Sequence, residues 1–368
     1  MTEAIGETRF GGRADFAIGV EEELILVDPA SRALSHAGVE VLARMEGADA
    51  DGFAHPDTYS ALIELASPVA RDAAEGVAAL SALRARVRAA GGTAIGAGIH
   101  PDGAFGDVEH VDEPRYDRIV DQLQGLIRRT PTCALHVHVG MPDAETAIRV
   151  FNGLREHLPV LQALAANSPF WHGRDSGLAT ARAQLFRGYP RAEIPRAFDS
   201  YDDYATTVAG VVATGDLPDY TFLWWDIRPH PRLGTVEVRA MDSQSALWSA
   251  AGLAGLVHGL ARAEAHEVRD AWLPREVLME ASFTAARDGL RARLPLDGVL
   301  RPAPEVARAA LERARPHAAE LGSGDALEGI ERILAEGNGA DRQRAAHARG
   351  GMAALLDLLV AEAERPYG

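Results

Sequence analysis

The sequence predicts an α+β fold, a largely antiparallel sheet covered on one face by helices. Three observations predict it. Segments of strand character lie before Asp242, and segments of helical period dominate after it. The strand segments set charged side chains on one face and mostly apolar ones on the other, the pattern of a sheet with unlike faces. No repeat and no low-complexity linker divides the 368 residues. We therefore expect a single domain over residues 1–368, strand-rich from 16 to 242 and helical from 243 to 364.

Phe16–Val27 reads FAIGVEEELILV and stops at the Asp28-Pro29 turn. Ala61–Ala66 is a second short strand, with Glu64 inside an apolar run. Arg71–Ala90 has helical period, with Val77, Leu80, Leu83 and Val87 on one stripe, and Gly91-Gly92 ends it. Thr93–Ile99 reads as a buried strand. Glu113–Arg129 is an amphipathic helix, Thr132–Gly140 a strand, and Pro142-Asp143 opens a helix to about His157. Ser168–Asp219 reads as irregular, and loops of that length are usually functional or mobile. Phe222–Ile227 and Thr235–Met241 read as strands joined by a Pro-rich turn. Helices are expected at Ser245–Arg269, Arg275–Arg293, Ala303–Glu320, Ala326–Glu336 and Asp341–Glu364.

Composition excludes several functions. The net charge of −16 repels nucleic acid and anionic membranes, so neither is an expected partner. No segment has the length and apolarity of a membrane span, and Met1–Asp15 lacks a signal pattern, so a cytoplasmic location is expected. All 37 basic residues are arginine. Without lysine there is neither a Walker P-loop nor Schiff-base chemistry, so any bound phosphate must be met by arginine, backbone N–H groups or metal ions. The lone cysteine, Cys133, excludes an intramolecular disulfide.

Three strands carry the candidate chemistry. Alternation puts Glu21 and Glu23 on one face, with Val20, Glu22 and Leu24 on the other. It likewise pairs His136 with His138 against valines, and Glu237 with Arg239 against valines. A solvated strand face favours Thr, Lys, Ser and Gln, whereas these positions hold metal-ligand types. Glu64 adds a carboxylate in an apolar setting, where an unpaired charge is expensive. Together they favour a cation-binding basin. Carboxylates with one imidazole suit magnesium or manganese. The His136/His138 pair leaves a zinc hydrolase open, which would need a further ligand from His157, His172, His230 or His258. Arg182 and Arg187, in the central segment, are the kind of residue that grips a carboxylate substrate.

Gly19-Val20-Glu21-Glu22-Glu23-Leu24, Leu62-Ile63-Glu64-Leu65-Ala66-Ser67-Pro68, Ala134 to Gly140 and Gly234 to Arg239 fall in one order. With Gly98-Ile99-His100-Pro101 and Asn338-Gly339-Ala340-Asp341-Arg342-Gln343, the chain resembles the type 2 glutamate–cysteine ligases, or carboxylate–amine ligases. The resemblance implies a glutamine-synthetase-like fold, a curved, mainly antiparallel sheet forming a funnel with helices on its outer face. It implies an ATP-dependent ligase, acting through an acyl phosphate on small molecules (an amino acid, an amine, ATP), and a homodimer. Carried over by position, Glu21, Glu23, Glu64, His136 and Glu237 would hold Mg2+ or Mn2+, with His138 and Asp57 second in rank. Arg239, meeting the transferring phosphoryl group, and Glu64 are the candidate catalytic residues, and Arg182 would meet the carboxylate substrate. A non-catalytic nucleotide-binding relative is the remaining alternative.

Overall fold

A computed structural model describes residues 5–12, 15–45, 52–104, 106–267, 269 and 271–368. The β-branched and aliphatic run forms strand β1 (Ile18–Val27). Helix α1 (Gly38–Arg44) leads to β2 (Phe53–Pro56), a short strand the sequence reading lacks, and then to β3 (Leu62–Ala66). Helix α2 (Ala73–Ala89) begins where the Asp72 carboxylate accepts from the Glu75 N–H, and its predicted stripe is buried. Strand β4 (Thr93–Ile95) is shorter than the apolar run predicts. Beyond it the backbone presses against other chain: a Cβ on Gly96 would lie 2.3 Å from the Gln244 carbonyl oxygen, and one on Gly98 2.6 Å from the Asp242 carboxyl carbon. Helix α3 (Pro114–Leu123) breaks at Gln124, φ 50°, into a 3-10 turn over Gln124–Arg128.

Strand β5 (Ala134–Gly140) is followed by α4 (Ala144–Ala165), longer than predicted. The central segment is not simply irregular. It holds a small hairpin, β6 (Phe170–Trp171) and β7 (Arg174–Asp175), then α5 (Ala181–Phe186) and α6 (Tyr201–Thr214). Ser200 caps α6 by accepting from the Asp203 N–H, and Asp202 and Asp203 complement the helix N-terminus. Strand β8 (Ile227–His230) lies later than predicted, because Tyr220–Phe222 forms a 3-10 turn. Its Pro229 is tolerated because β8 is an edge. After β9 (Thr235–Asp242) come α7 (Leu247–His266) and α8 (Arg275–Asp288). The expectation of helices alone after residue 245 fails at the hairpin β10 (Arg293–Leu296) and β11 (Val299–Pro302). Asp297 and Gly298 both take positive φ there, a tight-turn geometry that Asp-Gly favours. Helices α9 (Ala303–Glu320), α10 (Glu328–Glu336) and α11 (Gly339–Ala363) complete the chain. Among the described residues no helix is long and apolar enough to cross a membrane.

The main sheet has seven strands in the order β2-β3-β1-β5-β9-β8, with β4 also on β1, and every pairing is antiparallel. It is not closed into a barrel. Ile63, Leu65, Val20, Leu24, Leu135, Val137, Val236 and Val238 are buried. Helices α2, α4 and α7 contact β1, β9 and β5. Glu22 lies on the face opposite Glu21 and Glu23, fully buried with Arg84, whose Nε donates to its Oε1 at 2.7 Å. The same guanidinium donates to the Ser245 and Gln244 carbonyls, which ties α2 and β1 to the start of α7.

Candidate active site

Strand register gathers the charged residues into one row. His55 of β2 faces Glu64 of β3, which faces Glu23 of β1. Glu21 faces His136 of β5, His138 faces Glu237 of β9, and Glu237 faces Arg228 of β8. Directly paired residues share a sheet face. All of these side chains, with Asp57, Arg182 and Arg239, line one cavity of about 500 Å³.

Glu21, His138 and Glu237 offer ligand atoms that all lie within 4.8 Å of one another. His138 Nε2 stands 3.3 Å from Glu21 Oε1 and 3.7 Å from Glu237 Oε1. That nitrogen is buried with no hydrogen-bond partner among the described residues, while Nδ1 is held by the Thr235 hydroxyl at 3.0 Å. An imidazole fixed at one nitrogen and bare at the other, facing two carboxylates, is the arrangement of a metal-ligating histidine. The residues fit a divalent cation. His136 sits between Glu21, 3.5 Å from its Nδ1, and Glu23, 3.8 Å from its Nε2. The two histidines thus point to different places, and the one in the tight cluster is His138, which the resemblance ranks second to His136. One imidazole with two carboxylates suits a hard cation better than zinc.

The electrostatics divide the basin. Around Glu237, burial would raise the carboxyl, but Arg228 and Arg239 hold it well below the ordinary range. Arg228 Nε donates to Oε2 at 2.6 Å, and Arg239 Nη1 donates to Oε1. Burial likewise opposes ionisation of Glu21, yet His138 and His136 keep it low. Glu23 behaves oppositely, pushed up to about 8 by burial and the nearby Asp57 charge. Burial and the charges of Glu21, Glu23 and Asp57 push Glu64 well above the usual carboxylate range. Burial raises Asp57 too. His136 falls to about 4, through burial and Arg239. Carboxylates crowded this closely call for added positive charge.

Arg182 of α5 lies over the Phe186 ring, 5.4 Å to the centroid. Its Nη2 donates to the Arg239 carbonyl at 3.3 Å, Nη1 stands 3.8 Å from Asp242, and buried Nε has no partner among the described residues. It keeps donor capacity for a ligand. Arg187, the other carboxylate candidate, does not line this cavity. It is engaged with both Asp226 oxygens, the Ala192 carbonyl and the Ser282 hydroxyl, leaving little for a substrate.

Sequence reading missed His55 and Asp242, and it held His230 only as a further ligand for zinc. Alternation within Ile227-Arg228-Pro229-His230 would have put Arg228 and His230 on one face, had β8 been placed at Ile227 rather than Phe222. Asp242 was hidden by a bulge. Leu135 pairs with Met241 but Val137 with Val238, so β9 carries an extra residue opposite His136. In a regular strand, residues 237 and 242 fall on opposite faces. The bulge resets the phase, and Asp242 lies opposite Ala134, in phase with His136 and His138. No local pattern in the sequence announces that reset.

One face of the sheet thus gathers carboxylates, histidines and arginines into a single cavity, the lining of a site that holds anions and cations together. The fold is shared with a glutamate–cysteine ligase from Francisella tularensis crystallised with AMP, at a TM-score of 0.73 and 13% identity over 96% of this chain and 89% of that one. The chain belongs to the glutamate–cysteine ligase family 2 (GCS2), whose family model matches residues 17–357. It is similar to "Putative glutamate--cysteine ligase 2-3" of Rubrobacter xylanophilus, 40% identical over 362 residues, 96% of this chain and 98% of the relative. It is also similar to the glutamate–cysteine ligase of Halobacterium salinarum, 36% identical over 286 residues, 74% of this chain and 79% of the relative. The chain is an ATP-dependent carbon–nitrogen ligase.

Proposed function

We propose that the protein joins the side-chain carboxylate of L-glutamate to the amine of cysteine or a related compound, converting ATP to ADP and phosphate through an acyl phosphate. The observation that carries this reading is the convergence of Glu21, Glu23, Glu64, Asp57 and Glu237 with Arg182 and Arg239 in one cavity. A carboxylate is a poor acyl donor until its oxygen becomes a phosphate leaving group. That step brings several negative charges together, and a lysine-free chain must answer them with arginine and metal.

Glu21, His138 and Glu237 would hold one magnesium ion, and Glu23, Glu64 and Asp57 are the carboxylates for another. Bound magnesium supplies neutralisation of the phosphate oxygens during in-line transfer. Arg182, which lines the cavity with only Nη2 hydrogen-bonded among the described residues, would hold the carboxylate substrate. Arg239 lines the cavity and is held by Glu237 on one nitrogen, so its guanidinium would meet the transferring phosphoryl group. Glu64, paired with Glu23 across β1 and β3, is raised well above the usual range by burial and its acidic neighbours, so a cation bound there would displace its proton.

A second cavity, of about 310 Å³, shares Glu21, Glu64 and His138 with the first. Its wall is largely apolar, from Ala17, Gly19, Phe53, Ala66, Val69 and Leu233. That lining suits a purine, and it would leave the arginine-rich cavity to the carboxylate and amine. The reading is tested by phosphate release from ATP, screened across carboxylates and amines with magnesium. We expect release that needs L-glutamate, an amine and the metal together. Release that ignores the amine would sink it.

A further inference from the structure

The Asn338–Gln343 motif lies away from both cavities, yet Asn338, Gly339, Ala340 and Gln343 are buried. Asn338 caps α11, accepting from the Asp341 N–H at 3.1 Å and donating to the Ala163 carbonyl at 2.9 Å. The cap orients the first turn so that Gln343 Nε2 donates to both oxygens of Asn167, backbone and side chain, at 2.8 Å each. Gly339 permits this approach, since a Cβ there would sit 2.0 Å from Asn167 Oδ1.

Asn167 passes the constraint inward. Its backbone N–H donates to Asp242 Oδ2 at 2.9 Å, and its side-chain amide donates to the Gly96 and Ser243 carbonyls. The Ser168 hydroxyl donates to the same Oδ2 at 2.7 Å, and the Thr180 hydroxyl to Oδ1 at 2.9 Å. Thr180 caps α5, and the Arg182 N–H donates to the Ser168 hydroxyl at 3.2 Å. The Arg182 guanidinium then stands 3.8 Å from Asp242 Oδ1. Gln343, Asn167, Ser168, Thr180 and Asp242 are each 2% exposed or less. No water competes for these bonds, so the geometry is strongly held.

We infer that Gln343, Asn167 and Asp242 are positioning residues for Arg182: the N-terminus of α11, through Asn167, sets where the carboxylate-gripping guanidinium sits and so sets affinity for the carboxylate substrate. This rests on the reading of Arg182 as the carboxylate anchor. A bidentate arginine contact tolerates little displacement, so loosening the support weakens ground-state capture of the carboxylate and leaves nucleotide binding alone.

The test uses full-length enzyme, with L-glutamate as the probe carboxylate and cysteine as the amine. Gln343→Leu keeps the volume and removes both bonds to Asn167. Thr180→Val removes one bond to Asp242 from the other side, with Thr180→Ser as its rescue, and serves if Gln343→Leu does not fold. We expect roughly a 10-fold rise in KM for L-glutamate, as for second-layer supports of other binding groups, with KM for ATP unchanged within about twofold. Arg182→Ala should raise the same KM further, and adding Gln343→Leu to it should do nothing more, because residues acting through one contact are not additive. Folded single variants with wild-type glutamate KM, or effects that add fully in the Arg182→Ala background, overturn the relay while leaving the Arg182 reading intact. An Arg182→Ala enzyme with wild-type glutamate KM overturns the anchor itself, and the inference with it.

Discussion

Glu237→Gln separates the two duties of one carboxylate. Glu237 is 1% exposed and holds Arg228 at 2.6 Å and Arg239 on its other oxygen. The amide keeps the shape but removes the charge, leaving two buried guanidiniums without their counter-ion. Breaking a buried pair in this way costs about 3–5 kcal/mol. Unfolding entropy of roughly 2.1 cal/mol/K per residue over this chain length converts that into a fall in Tm of about 4–6 °C. If the carboxylate also ligates the metal, the activity loss must be far larger than the stability loss implies. Removing a charge that faces the transition state in a water-poor site costs on the order of 100- to 1000-fold. The assay is phosphate release at a temperature at least 10 °C below the variant's own Tm, about twice the expected shift, so that unfolding contributes nothing. A variant that melts early but turns over at the wild-type rate would refute the placement of the site, leaving Glu237 a structural counter-ion only.

Three further outcomes follow from the same geometry. Glu23, with its carboxyl pushed up to about 8, binds its proton in the folded metal-free protein at pH values where the unfolded chain has lost it. Its contribution is therefore fully present below about 4.5 and is lost as pH rises through 8, so metal-free Tm should fall across that window. Because a cation binds the ionised form, the Tm gain from added magnesium should be larger at pH 8 than at pH 6, and thermal melting at the two pH values checks this. Arg187→Met breaks the buried pair with Asp226 and should lower Tm by several degrees, about 3–5 kcal/mol, while KM for L-glutamate stays unchanged; a raised KM would restore Arg187 as a substrate residue. Chelation followed by readdition should recover phosphate release with magnesium or manganese but not with zinc, as one imidazole among carboxylates requires, and preferential rescue by zinc would contradict the ligand reading.

The acidic row was legible because strand alternation is a local property. Glu21 and Glu23, His136 and His138, and Glu237 and Arg239 each reveal their shared face from spacing alone. Which strand lies beside which is not local, and the pairing of His138 rather than His136 with Glu237 depends on β5–β9 register. Glu22 shows the same limit. Its spacing puts it behind the sheet, but only the fold supplies Arg84 as its partner. The edge strand β2 escaped notice because four residues ending in proline carry little pattern. Helix α6 was obscured by a segment rich in arginine, glycine and proline, although Ser200 followed by two aspartates is a recognisable start. Arg187 was indistinguishable from Arg182 in sequence. Only three-dimensional placement shows one guanidinium saturated and the other with a donor to spare.

The extra residue in β9 makes chain length at that point as consequential as side-chain identity. Shortening the strand by one, at Ala240 for instance, would rotate everything after it by half a pleat. Asp242 would turn toward the helical layer, and the anchors of the loop from 167 to 182 would lose their acceptor while Glu237 kept its place. An insertion or deletion there should therefore disconnect the substrate arm from the phosphate arm in a single event.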